Sequence, residues 1–78
     1  MTNYPIGATW RAVTDWGAIG EIKLVSRGES IERWDWIKYY PDGSIHSSEW
    51  TPTYRMCRAE IPLYNLRQRV RLIFRRVK

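Results

Sequence analysis

The sequence predicts a mainly β domain: a small antiparallel sheet of four or five strands, curled or closed, with a basic amphipathic helix at the C-terminus. Three observations predict it. Apolar and polar residues alternate along four short segments. Turn-forming residues separate those segments, most clearly in Tyr40-Pro41-Asp42-Gly43-Ser44. The 78 residues hold five Trp and five Tyr but a single Cys, so buried aromatics must supply the stability that disulfides give other small domains.

The first strand is expected from about Ala8 to Thr14, where Ala8, Trp10 and Ala12 share one parity and Arg11 takes the other. Asp15-Trp16-Gly17 interrupts it. A second strand runs from about Ile19 to Arg27, with Gly20, Ile22 and Leu24 on one face, Glu21, Lys23 and Arg27 on the other, and Val25 as an exception. After the turn Arg27-Gly28-Glu29-Ser30, a third strand spans about Ile31 to Tyr40. Pro41 presets φ for a tight turn and Gly43 accepts positive φ, so a fourth strand, about Ser44 to Trp50, returns antiparallel. If Tyr40 faces Ser44, Trp36 faces Ser48 and Trp34 faces Trp50, and three indoles share one face. A slip of one residue reverses that arrangement.

Thr51 and Pro52 end the strand and suit the start of a short helical turn, along which Tyr54, Cys57 and Ile61 fit a helical spacing. Beyond Pro62, Leu63, Leu66, Val70, Ile73, Phe74 and Val77 fall on one helical stripe, with Leu72 as the misfit. As a strand, Val70, Leu72 and Phe74 alternate with Arg69, Arg71 and Arg75. The helical template covers more residues. The expected organisation is therefore one domain, residues 1–78, with a β-rich body over 1–61 and a basic helix, or else a strand, over 62–78. An SH3-like small barrel is the favoured architecture and a flatter ββββα sheet the alternative.

Charge is distributed unevenly. Residues 1–60 carry seven Arg or Lys against eight acids, whereas residues 61–78 carry six cations, Arg67, Arg69, Arg71, Arg75, Arg76 and Lys78, and no acid. Such an asymmetry points to nucleic acid or an acidic protein surface as partner, or else to a solvated helix face. No segment has the roughly 20 apolar residues that cross a bilayer, and no signal-peptide pattern precedes Ile6. The expectation is a cytoplasmic monomer with no membrane insertion.

The residues for catalysis are few. His46 is the only histidine and Cys57 the only cysteine, so neither a multi-histidine nor a cysteine-based metal site can form within the chain. Their spacing gives no reason to pair them as base and nucleophile. The acids read as solvent-facing, and no phosphate-binding glycine motif is present. The expectation is no enzyme activity and no cofactor. The run Gly17-Ala18-Ile19-Gly20-Glu21-Ile22 resembles the glycine turn of KOW-type small barrels, a resemblance that implies contact with RNA or ribosomal partners. It covers six residues and lacks the basic residues usual there. Local chain geometry explains the same glycines: a positive φ at Gly17, a bulge or close approach at Gly20.

Trp34, Trp36 and Trp50 have two readings. They form the core, or they form a platform on which bases stack beside Arg33 and Lys38. With the arginine tail, the second reading gives a non-enzymatic module that contacts phosphates through Arg67, Arg69, Arg71, Arg75, Arg76 and Lys78. The alternative is a protein-interaction module, an adaptor or small inhibitor.

Overall fold

The computed structural model describes residues 2–61 and 71–78. Their elements run β1 (Thr9–Thr14), β2 (Gly17–Arg27), β3 (Glu32–Tyr39), β4 (Ile45–Thr51), α1 (Tyr54–Glu60) and β5 (Ile73–Arg76). The five strands form one antiparallel sheet in the order β4-β3-β2-β1-β5. The four strands expected between Ala8 and Trp50 are present.

Two expectations need correction. The sheet is not a closed barrel. Closure requires the first and last strands to meet with a consistent stagger. Here β5 pairs with the outer edge of β1, leaving β4 and β5 as the two edges of the sheet. Nor is residues 71–78 the end of a helix. The outer edge of β1 offers unpaired backbone groups, and β5 takes them: Val77 N–H donates to the Thr9 carbonyl (2.9 Å) and Thr9 N–H to the backbone oxygen of Lys78 (3.1 Å). The alternation of Leu72 and Phe74 with Ile73 and Arg75 suits that ladder. The rest of the expected helix, residues 62–70, lies outside the described residues.

Three bulges curl the sheet, since an extra residue sharpens local twist. Ile19 is the extra residue between Ala12↔Gly20 and Val13↔Ala18. Val25, the residue that breaks the parity of β2, is extra between Leu24↔Trp34 and Ser26↔Arg33. His46 is extra between Tyr39↔Ile45 and Lys38↔Ser47.

One face is covered. Trp10, Ala12, Ile22, Leu24, Trp34 and Trp36 project from it, and α1 lays Cys57 and Ile61 over them. A helix of seven residues is not stable alone in water, so this burial holds it. The Thr53 hydroxyl caps it by accepting from Met56 N–H at 3.1 Å. The Thr51 hydroxyl donates to the Thr53 carbonyl oxygen at 2.7 Å. Trp34 is fully buried and touches the rings of Tyr4, Trp10 and Tyr54 with centroids 5.4–6.5 Å away. Burying an indole removes roughly 150–250 Å² from water, about 4–6 kcal/mol of transfer free energy. Gly20 leaves room for this packing: a Cβ there would sit 2.5 Å from the Ile37 carbonyl oxygen. Gly17 has φ of 115°. Both glycines of the turn are thus accounted for by chain geometry.

Candidate nucleic-acid interface

The other face of the sheet is lined by no helix among the described residues. The ladder register places its side chains in two rows across the strands. One runs Arg75 (β5), Arg11 (β1), Glu21 (β2), Ile37 (β3), Ser48 (β4). The next runs Thr9, Lys23, Asp35, Trp50. All of these but Arg75 line an open groove of about 650 Å³, together with Val25, Arg33, Trp36, Glu49, Val77 and Lys78.

The bulge at His46 decides which face each indole takes. At the turn the hairpin keeps the expected register: Tyr40 N–H donates to the Ser44 carbonyl (2.8 Å) and Tyr39 lies opposite Ile45. Past His46 the pairing shifts by one, so Trp34 faces Thr51, Trp36 faces Glu49 and Trp50 faces Asp35. The three indoles therefore do not share a face. Trp34 and Trp36 are buried in the core, while Trp50 lies on the open side with 45% of its surface exposed. The Arg33 guanidinium sits 5.5 Å from its ring centroid, and Arg33 Nε donates to Asp35 at 2.9 Å. Trp50, Arg33 and Asp35 make one contiguous cluster.

The tail cations divide. Arg75 extends the open face, directly opposite Arg11, and Lys78 lines the groove. Arg71 is exposed just before β5. Arg76 points to the covered side, its guanidinium 5.1 Å from the Tyr4 ring centroid and 5.3 Å from that of Trp10. It is occupied by packing. Arg67 and Arg69 lie outside the described residues. Arg11 and Lys23 were absent from the sequence-derived candidates, although the strand parity of β1 and β2 sets both opposite the apolar face.

Two of the acids lining the groove, Glu21 and Asp35, are engaged, while Glu49 has no ion-pair partner among the described residues. Arg11 Nη2 binds Glu21 Oε1 at 3.1 Å, the Tyr39 hydroxyl donates to Glu21 Oε2 at 3.1 Å, and Asp35 holds Arg33. Among the described residues neither Lys23 nor Arg75 has an ion-pair partner. Like charges directly opposite in a sheet repel, so the Arg11–Arg75 pair carries a cost that Glu21 only partly offsets.

Elsewhere the titratable groups read as structural. Glu32, expected to face solvent, is instead buried beside Trp34. It accepts from Arg27 Nε (2.9 Å), Trp34 Nε1 (3.3 Å), and the Thr2 hydroxyl and backbone N–H. Burial pushes its carboxyl up, but these hydrogen bonds outweigh that and hold it below the usual carboxylate range. Burial pushes the Cys57 thiol up, and its sulfur lies 3.1 Å from the Thr51 hydroxyl and 3.2 Å from the Trp34 carbonyl oxygen. His46 instead contacts the exposed Ser47 hydroxyl (3.0 Å) and the Tyr40 ring. The described residues contain no group of three or more potential metal ligands, and none of their helices is long and apolar enough to cross a membrane.

Comparison of the chain with protein-family models, curated proteins and solved structures finds no match. Any functional reading therefore rests on the geometry.

Proposed function

We propose that this chain is a non-enzymatic nucleic-acid-binding module that holds phosphates on its open sheet face and basic C-terminal strand. The supporting observation is the cross-strand pair Arg11–Arg75, two arginines directly opposite in the ladder on a face that no described helix covers, with Lys23 in the adjacent row. A bound phosphate relieves their repulsion, and the planar fork of arginine suits phosphate oxygens. Glu21 and Asp35 on the same face are already bound to partners, so they oppose an anion less.

The test is binding of labelled single-stranded RNA, single-stranded DNA and duplex DNA at low and physiological salt, for the native chain and the Arg11→Gln/Arg75→Gln variant. A truncation at Ile61 would remove β5 along with its charges, so point substitutions are the cleaner tool. Affinity should fall steeply with salt, and each lost phosphate contact should lower the salt slope by about 1. No binding at low salt would end this reading.

A protein-interaction module is the second reading, and the outer edge of β4 favours it. That strand has seven residues, exposes Ile45 and carries neither Lys nor Pro to blunt pairing with another chain. Failure of the nucleic-acid test would make it the leading one.

A further inference from the structure

The cluster of Trp50, Arg33 and Asp35 stands apart from the phosphate-binding cations, and its chemistry is different. Trp50 offers an indole with almost half its surface in solvent, at the β4 end of the groove. Arg33 lies over the ring and is anchored by one oxygen of Asp35, Oδ1 at 2.9 Å. The other oxygen has no partner among the described residues. A carboxylate repels phosphate, so a groove that binds only backbone gains nothing from one at this position. A carboxylate beside a stacking ring is an acceptor for a hydrogen-bond donor on a base edge. Lys23 follows two strands from Trp50, about 10 Å away, and Arg75 four strands away, about 19 Å. Stacking platform, acceptor and Lys23 thus lie in one row across the sheet, with Arg11 and Arg75 in the adjacent row.

We infer, building on the phosphate-binding reading above, that the groove takes a single strand running across the β-strands, with one base stacked on Trp50 and its exocyclic amino group donating to Asp35. A paired base keeps its faces inside the duplex stack and cannot reach the indole, so single strands bind more tightly than duplex. Amino-bearing bases, cytosine, adenine and guanine, bind more tightly than thymine or uracil. Stacking is tolerant of base identity, and Asp35 supplies the discrimination.

The experiment titrates the full chain with short oligo-dC, oligo-dT and a duplex at one low salt concentration, then repeats it with Trp50→Ala, Trp50→Phe and Asp35→Asn. Circular dichroism confirms that each variant is folded. Oligo-dC is expected to bind best. Trp50→Ala should weaken single strands about tenfold, the loss of one stacked base, and leave duplex binding unchanged, while Trp50→Phe should restore much of it. Asp35→Asn should narrow the gap between oligo-dC and oligo-dT. Duplex preference, or equal single-strand binding by Trp50→Ala, would overturn this inference and leave phosphate binding standing. No binding of any strand by the native chain would overturn both.

Discussion

The two faces of this sheet are built from the same strands and use tryptophan in opposite ways. On the covered face Trp34 is shut from water, ringed by Tyr4, Trp10 and Tyr54, and its Nε1–H is satisfied by Glu32. On the open face Trp50 has a guanidinium over its ring and solvent around the rest. Arginine divides in the same manner. Arg76 is stacked on the aromatic core, and Arg75, one residue earlier, lies opposite Arg11 with no ion-pair partner among the described residues. A residue type therefore says little here about role; strand parity decides which side of the sheet a side chain serves.

The largest effect should come from the covered side. Trp34→Ala should cost about 3–5 kcal/mol and leave much of a domain this small unfolded at room temperature in urea titrations. Trp50→Ala should cost under about 1 kcal/mol, because its losses are an exposed cation–π contact and partial burial. Similar costs at the two positions would break the comparison.

Glu32→Gln should destabilise by about 2 kcal/mol, the loss of charge-assisted hydrogen bonds to Arg27 and Thr2. Because the folded carboxyl lies below its ordinary value, its contribution is complete above the unfolded pKa and is lost as pH falls through the folded one. Native protein should therefore lose stability in acid, and Glu32→Gln should flatten that part of the profile. The smallest change is the most telling. Arg75→Gln should leave stability the same or raise it by a few tenths of a kcal/mol, by removing a like-charge neighbour of Arg11, while weakening nucleic-acid binding and lowering the salt slope by about 1.

Much of the sheet was legible in the sequence. Alternation located four strands, and Pro41, Asp42 and Gly43 located the hairpin turn, where Asp42 accepts from Ser44 N–H at 2.8 Å. The spacing of Tyr54, Cys57 and Ile61 is compatible with the helix at Tyr54–Glu60, but a segment this short leaves the assignment open from the sequence. The candidate site was less legible, for one local reason. A bulge is a one-residue insertion without a compositional signature, and the extra residue at His46 moves Trp50 from the side of Trp34 and Trp36 to the opposite side. The tail misled for a different reason. Ile73 and Phe74 fit the helical stripe while Leu72 and Phe74 fit the strand alternation, and the free edge of β1, a tertiary feature, selects the strand. Arg11 and Lys23 were readable as polar strand positions, but only the assembled register brings them next to Arg75 and Trp50.

The most direct test of the account is an amide and indole correlation spectrum of labelled protein recorded as oligo-dC is added. The indole N–H resonances of the five tryptophans report on both faces at once. The account predicts that the Trp50 indole shifts, with backbone amides of Lys23, Arg11 and Arg75, while those of Trp10, Trp34 and Trp36 stay in place. Shifts concentrated at the buried indoles or at α1, with Trp50 unmoved, would contradict it.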